Sequence, residues 1–262
     1  MSEGSHIVSK PRCARLLRRK LLAVAAVSAV LGTAHAAGQK LRPGIIGQDD
    51  RVRVEQRGTP WDAIGQVNVG GYRRAGQCTG TLIAPDVVLT AAHCVVDAWR
   101  KTPYPLHDIH FVAGVHGAEF SGHATAKCLH FPPNYKYGLQ ARELATDMVE
   151  VVLSEPLSVA PMPVAAQVEV RPGLALIHAA YPADRRRVLS GHFGCKLLQA
   201  DQDPPLWFSD CDTHPASSGG PLLTEEGGTL RIVGIMVAAG NGSPNVGLPI
   251  SSRTSTPNNA CP

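Results

Sequence analysis

Short runs of β-favouring residues, separated by turns rich in glycine and proline, occupy most of the chain. Because no long segment has the 3.6-residue apolar period of an amphipathic helix, the pattern is typical of an all-β barrel or sandwich. A proline-rich stretch at residues 154–164 indicates a linker between two halves, each long enough at about a hundred residues to hold its own core. We predict strands near residues 66–69, 79–83, 87–90, 109–112, 126–131, 148–153, 175–181, 194–199, 206–210, 231–238 and 245–249.

The first 36 residues have the three-part layout of a secretory signal and are set apart from the fold. Six Lys and Arg residues precede an eleven-residue apolar run, 21–31, and the pattern A-x-A follows at Ala34-His35-Ala36. An uncleaved membrane anchor is the alternative, but the run is well short of the ~20 residues that span a bilayer. The sequence therefore predicts a secreted or periplasmic protein with no stable membrane association once the signal is removed.

Removing this signal changes the charge of the chain. The whole sequence has a formal charge of +4, and its first 36 residues contribute six positive charges and one negative charge, so the remainder carries +4 − 5 = −1. One short basic run, 185–187, remains and is typical of a solvated loop. Nucleic-acid binding needs clustered basic charge on the folded part, so no nucleic-acid partner is predicted.

Two stretches in the first half place an imidazole and a carboxylate where each could serve catalysis. LTAAHC brings His93 to the end of an apolar strand, and a bridge between Cys78 and Cys94 would close the preceding hairpin and fix this loop. TDMVEVVL places Asp147 immediately before a buried-looking strand. This carboxylate could simply cap a turn, or it could orient a histidine.

A third stretch, HPASSGGPLL at residues 214–223, places Ser218 before two glycines, which let backbone and substrate approach closely. Taken in the order His, Asp, Ser, the three stretches resemble the trypsin-like serine peptidases of the chymotrypsin fold. TAAHC is similar to the histidine motif of that family, DMVEVVL to its aspartate motif and SSGGP to its serine motif. CDTHPASSGGPL more nearly resembles the bacterial glutamyl-endopeptidase-like branch, whose serine motif has the form T-x-P-G-x-S-G. The resemblance covers about residues 45 to 250.

This resemblance implies an all-β fold of two six-stranded antiparallel Greek-key β-barrels, with the active site in the cleft between them. Residues 37–57 would form an N-terminal extension. Residues 58–154 would form the barrel with the histidine and the aspartate. Residues 155–262 would form the barrel with the serine, the oxyanion hole and the S1 pocket.

The resemblance also implies a mechanism. His93 would take the proton of the Ser218 hydroxyl as it attacks the scissile carbonyl, and Asp147 would hold the imidazole in the right tautomer. The backbone N–H groups of Ala216 and Ser218 would bind the oxyanion. We expect a monomeric secreted endopeptidase that forms an acyl-enzyme on polypeptide substrates without cofactor or metal.

Two neighbours of the serine depart from the family pattern. Most relatives have glycine at the position of Ala216. If the loop needs a positive φ there, the Cβ would cost about 1–2 kcal/mol or favour a flipped peptide. A catalytically weak or inactive homologue that acts as a binding module is therefore the alternative function. Ser217 replaces the aspartate that binds a freed N-terminus in trypsin, so activity should not depend on cleavage before Ile45.

The residues implied for the S1 pocket conflict with one another. Asp212 lies six residues before Ser218, where trypsin has its acidic pocket base, and Thr213 lies where glutamyl endopeptidases have a threonine. Met236 replaces the histidine that those enzymes use. We favour a basic P1 residue, with a small or apolar one as the alternative.

Six cysteines remain once Cys13 leaves with the signal, and an even count in an exported chain predicts disulfides. Six cysteines permit 15 pairings, and the lack of a C-x-x-C pair argues against structural zinc. Besides the hairpin bridge, Cys195 and Cys211 fall on neighbouring strand-like segments, which leaves Cys128 with Cys261.

Overall fold

β-Strands dominate the part of the chain that the structure describes. The computed structural model describes residues 42–70, 76–253 and 261, so the predicted signal at residues 1–36 lies outside the described residues. The strands are β1 (Val52–Arg53), β2 (Ile64–Val69), β3 (Gly76–Ala84), β4 (Val87–Thr90), β5 (Ile109–Ala113), β6 (Gly122–His130), β7 (Val149–Leu153), β8 (Ala175–Ala180), β9 (Ser190–Ala200), β10 (Trp207–Ser209), β11 (Pro221–Glu226), β12 (Thr229–Ala238) and β13 (Asn245–Pro249).

Helical structure in the described residues is limited to short turns. One α-helical turn, α1, spans Ala141–Leu144 and begins at a capping box in which Glu143 accepts a hydrogen bond from the Gln140 backbone N–H. None of the helices in this part of the chain is long and apolar enough to cross a membrane. The 3-10 turns span Trp61–Ala63, Ala92–Cys94, Leu106–Asp108, Ala183–Arg185 and Ile250–Ser252.

The first barrel closes through antiparallel pairing in the order β2-β3-β4-β7-β6-β5. In β5, Ile109, Phe111 and Ala113 are buried while the residues between them are half-exposed, as expected for a period of two. Gly65 on β2 leaves room for the Phe111 ring, since a Cβ there would lie 2.5 Å from Phe111 Cε2. Alternating apolar side chains therefore fill the interior of this barrel.

The second barrel closes in the order β8-β9-β10-β13-β12-β11, with β11 pairing back onto β8. Both barrels thus have the order first, second, third, sixth, fifth, fourth, which is the Greek-key order. The predicted all-β fold of two six-stranded barrels is confirmed. β1 adds to the edge of β9, where Val52 pairs with Gly191 and Arg53 with Ser190. The described part of the predicted N-terminal extension therefore contributes a strand to the second sheet.

Three disulfides connect strands of the two barrels to segments that follow them in sequence. The first joins β3 to the turn after β4, the second joins β9 to the segment after β10, and the third ties residue 261 to β6. They are the pairs favoured from the sequence. The pairs are Cys78–Cys94, Cys195–Cys211 and Cys128–Cys261.

Candidate active site

The imidazole of His93 and the carboxylate of Asp147 are in direct contact. Asp147 Oδ2 lies 2.5 Å from His93 Nδ1, and Asp147 Oδ1 accepts a hydrogen bond of 2.7 Å from the His93 backbone N–H. His93 stands in the turn after β4, and Asp147 stands just before β7, which pairs with β4. Two adjacent strands of the first barrel therefore bring these residues together.

The electrostatics of this pair favour a protonated imidazole. Asp147 is buried, whereas His93 is half-buried. Burial lowers the pKa of His93, but the hydrogen bond and the negative charge of Asp147 outweigh burial, so the pKa is raised from its ordinary value of 6.5. With the Nδ1 proton directed at Asp147, Nε2 of the neutral ring is left as the acceptor. The imidazole can therefore accept a proton at Nε2, and Asp147 stabilises the resulting cation.

The serine loop, residues 211–220, packs against the strand ends that lead to His93. The Ser218 carbonyl oxygen accepts a hydrogen bond of 2.9 Å from Thr79 N–H on β3 and lies 3.8 Å from Cys94 Sγ. Gly219 has φ +80°, and a Cβ there would lie 2.1 Å from Thr90 Oγ1. This close approach requires glycine. Ser218 thus lies beside the His93 turn, although no hydrogen bond between described residues joins its hydroxyl to the imidazole, as is common in substrate-free sites.

The peptide before Ala216 is held in one orientation, and Ala216 itself has φ +75°. The Pro215 carbonyl accepts a hydrogen bond of 2.7 Å from Ala183 N–H, and the Ala216 carbonyl accepts one of 3.1 Å from Thr79 Oγ1. Neither the Ala216 N–H nor the Ser218 N–H donates a hydrogen bond to another described residue. The alanine therefore adopts the positive φ considered from the sequence.

Ala216→Gly is expected to raise the free energy of unfolding by up to about 1.5 kcal/mol. Glycine removes the Cβ penalty of about 1–2 kcal/mol at positive φ, partly offset by about 0.5–1 kcal/mol of backbone entropy. Urea unfolding measures the change. Ala145→Gly is the matched control, since Ala145 has φ −65° and only the entropic loss applies. Equal destabilisation by the two substitutions would contradict a positive φ at Ala216.

The Asp212 carboxylate is buried, and both of its oxygens accept hydrogen bonds from backbone N–H groups. Its side chain is 1% exposed, Oδ1 accepts a hydrogen bond of 2.8 Å from Ile46 N–H, and Oδ2 accepts one of 2.8 Å from Asp50 N–H. The substrate-binding role predicted for Asp212 therefore has no support in this geometry and stays a prediction. The carboxylate turns inward because backbone amides more than 160 positions earlier in sequence bind both of its oxygens.

Thr213 lies in the serine loop and Met236 lies on β12 beside it, and neither side chain carries a charge. Thr213 is buried, and its Oγ1 lies 3.1 Å from His178 Nε2, while His178 Nδ1 lies 3.2 Å from the Pro221 carbonyl oxygen. Burial lowers the pKa of His178 to about 4, so this imidazole is neutral, and its Nε2 accepts a hydrogen bond from the Thr213 hydroxyl. The Met236 carbonyl accepts a hydrogen bond of 2.7 Å from Gly219 N–H.

Comparison with known proteins identifies the family. Residues 78–235, more than half of the chain, match the trypsin-like peptidase domain. The chain belongs to the trypsin-like peptidase family. Its structure is similar to that of a Glu endopeptidase solved in complex with MPD, with a TM-score of 0.67 and 25% sequence identity over 78% of this chain and 93% of that chain. The predicted resemblance to trypsin-like peptidases near the glutamyl-endopeptidase branch is confirmed. A search of curated protein sequences gives no match.

Two polar residues of this trypsin-like peptidase site were not predicted. Thr79 holds the Ala216 carbonyl, and its Oγ1 also accepts a hydrogen bond of 3.0 Å from Tyr181 N–H. His178 holds the Thr213 hydroxyl. Both lie in strands whose sequence indicates only core packing, and their partners are far away in sequence, so no local pattern pointed to either.

Two groups of described residues in this peptidase bring three potential metal ligands within 4.8 Å of one another. In each group the two cysteines form a disulfide, so their sulfurs are not thiolate ligands. One imidazole or one carboxylate is then left, which is too few for a protein metal site. The groups are Cys78, His93 and Cys94, and Cys195, Asp210 and Cys211.

Proposed function

We propose that this peptidase is a serine endopeptidase in which Ser218 is the nucleophile, His93 the general base and acid, and Asp147 the orienting carboxylate. The observation that carries the proposal is the double contact of Asp147 with the His93 ring and backbone, at 2.5 and 2.7 Å. It directs Nδ1 away from the cleft and leaves Nε2 for the serine. Such a pair serves proton transfer, whereas a surface ion pair would not need a buried carboxylate.

In the first step, the Ser218 oxygen attacks the scissile carbonyl carbon while its proton passes to His93 Nε2. The C–O bond forms as the carbonyl electrons move onto oxygen, and the Ala216 and Ser218 N–H groups bind this oxyanion. The imidazolium then gives its proton to the leaving amine as the C–N bond breaks, which leaves an acyl-enzyme. Water repeats the sequence on the ester, and Ser218 is regenerated.

We further propose that the enzyme works outside the reducing cytoplasm, secreted or periplasmic, as a monomer. The three disulfides support this location because such bonds persist in oxidising compartments. The three-part pattern of residues 1–36 supports it independently. Polypeptides are the proposed substrates, and neither nucleic acid nor stable membrane association is part of the proposal.

The proposed S1 pocket accepts a small or apolar P1 residue. Asp212 was the only support for a basic P1, and backbone N–H groups bind both of its oxygens. Met236 offers no charge for a P1 carboxylate, and the buried His178 is neutral. The preference proposed here therefore replaces the basic P1 favoured from the sequence.

The acid limb of the kcat/KM profile is expected above pH 6.5, because the reaction needs neutral His93 and Asp147 raises the pKa of that group. Activity is lost as the pH falls through the raised pKa. The same shift stabilises the fold fully below about pH 6.5, and this contribution disappears as the pH rises through the folded-state value. Kinetics between about pH 5 and 9 measure the limb. A limb at or below 6.5 would contradict the pairing.

Cleavage-site profiling with a peptide library, run beside Ser218→Ala, tests the function. The proposal predicts internal cleavage after small or apolar residues by the wild type and none by the variant. Cleavage after Lys or Arg would restore the basic P1. Peptide binding without cleavage by either protein would favour the alternative, a binding module built on a peptidase fold.

A further inference from the structure

We propose that Asp212 is a positioning residue that keeps the serine loop in its catalytic conformation by binding the N-terminal segment, residues 44–51, within an uncleaved chain. The inference rests on the proposed function of Ser218, since the loop that Asp212 supports is the one that carries the nucleophile and the oxyanion donors. In trypsin a freed N-terminal ammonium supports the serine loop by binding an aspartate, and Ser217 replaces that aspartate here. In this chain, backbone N–H groups of residues 44–51 would provide the support instead.

The Asp212 carboxylate is satisfied almost entirely by this segment. Ile46 N–H and Asp50 N–H each donate at 2.8 Å, one to each oxygen. His192 Nδ1 lies 3.7 Å from Oδ2, but it accepts a hydrogen bond of 2.9 Å from Asp212 N–H and so carries no proton there. Hydrogen bonds to a buried ionised group are stronger than neutral ones, and their loss leaves buried N–H groups unsatisfied.

A second set of hydrogen bonds joins the start of the segment to Thr213, the residue after Asp212. Thr213 N–H donates at 2.9 Å to the Gly44 carbonyl, and Gly44 N–H donates at 2.7 Å to the Gly240 carbonyl. Asn245 Nδ2 also donates to the Gly44 carbonyl, at 2.9 Å. Gly44 has φ +80°, and a Cβ there would lie 2.7 Å from Thr213. Both polar groups of the Gly44 backbone are thus engaged as parts of a continuous chain.

A third set of contacts joins the end of the segment to residues 183–184, which in turn contact His214 and Pro215. Arg51 is buried and contacts Asp49 at 2.9 Å and Asp184 at 2.7 Å. Its hydrogen bonds lower the pKa of Asp49 to about 2, so this pair persists in mild acid. Asp184 lies 3.5 Å from His214 Nδ1, and Ala183 binds the Pro215 carbonyl.

These contacts make the N-terminal segment a brace along one side of the serine loop, while Thr79 of the first barrel holds the other side. Because the donors at residues 46 and 50 are ordinary backbone amides, the brace needs no cut before Ile45. Loss of the Asp212 carboxylate should let the 213–218 backbone relax and misplace the oxyanion donors. The expected loss is therefore in kcat, for all substrates alike.

The test compares Asp212→Ala and Asp212→Asn with Asp210→Ala in the full protein. Asp210 is the matched control because its Oδ1 also accepts a backbone hydrogen bond, 2.5 Å from Lys196 N–H, away from the segment. We expect Asp212→Ala to lower kcat about 100-fold with KM within about threefold, whatever the P1 residue. Asp212→Asn keeps one acceptor, so kcat should fall about tenfold; Asp210→Ala should stay within about twofold.

Hydrogen exchange on the same variants separates this inference from the proposed function. We expect Asp212→Ala and Asp212→Asn to reduce protection at residues 46 and 50 and at the hydrogen-bonded amides of Thr213 and Ser217, even if the wild type proves inactive. Wild-type kcat in both variants, or exchange changes confined to residues 46 and 50, would overturn the inference. A selective rise in KM for Lys or Arg at P1 would also overturn it, because Asp212 would then be a specificity residue.

Discussion

Replacing Ser218 by alanine is expected to lower kcat by about 10⁴- to 10⁶-fold, because the acyl-enzyme cannot form without the hydroxyl oxygen. The substitution should slow the chemical step without affecting substrate binding or stability. KM and thermal unfolding should change little, since the Ser218 contacts that position the loop run through its carbonyl oxygen, which alanine keeps. The measurement is kcat on a peptide identified by the library, with active-site concentration set by protein mass.

Ser217→Ala is the matched control for that substitution. Ser217 is the adjacent residue and is buried, but its hydroxyl has no role in the proposed proton transfers. It should retain kcat within about tenfold, well short of the effect of removing a catalytic group. Comparable losses in the two variants would mean that the loop, rather than the Ser218 hydroxyl, is what alanine disrupts.

Asp147→Asn is expected to lower kcat by about 10⁴-fold, because an amide cannot hold the His93 ring in the same tautomer. In the wild type both carboxylate oxygens accept hydrogen bonds from His93. An asparagine has one accepting oxygen, so the backbone N–H and the ring N–H would compete for it. The imidazole would then present Nε2–H to the serine, and a donor there cannot take its proton.

The His93 pKa gives this second prediction a readout independent of catalysis. Asp147 raises the pKa against the effect of burial, so in Asp147→Asn the pKa should fall below its wild-type value. Titration of the imidazole by NMR measures the change. Asp62→Asn is the control, since that carboxylate also lies in the first barrel but accepts its hydrogen bond from Ser121. An unchanged His93 pKa, or a loss in kcat below tenfold, would contradict the assigned role.

The strands predicted from the sequence are those whose own residues are rich enough in β-branched and apolar types to indicate a strand. β1 and β11 were missed for different reasons. β1 consists of two exposed residues that are ordered by pairing with β9, which is a tertiary interaction. β11 begins at Pro221, the last residue of the serine motif SSGGP, and proline is tolerated at the first position of a strand. Neither strand has the alternation of apolar and polar residues from which sequence predicts a strand.

In the candidate site, too, local sequence identified some residues, whereas contacts between residues distant in sequence determine the positions of others. His93, Asp147 and Ser218 stand in short motifs that resemble those of the trypsin-like peptidases, so the sequence could nominate them. The direction of the Asp212 side chain depends on amides at residues 46 and 50, and spacing from the serine carries no information about those partners. Ala216 could be recognised as unusual, but its φ of +75° depends on Thr79 and Ala183 holding the neighbouring carbonyls.

Covalent labelling with a fluorophosphonate tests the central claim most directly, because the reagent reacts with an activated serine and needs no knowledge of the substrate. The account predicts one label per folded, disulfide-intact molecule, located on Ser218 by peptide mass spectrometry and absent from Ser218→Ala and Asp147→Asn at matched exposure. A folded wild-type protein that takes up no label, or takes it up at another residue, would contradict the assignment of Ser218 as the nucleophile.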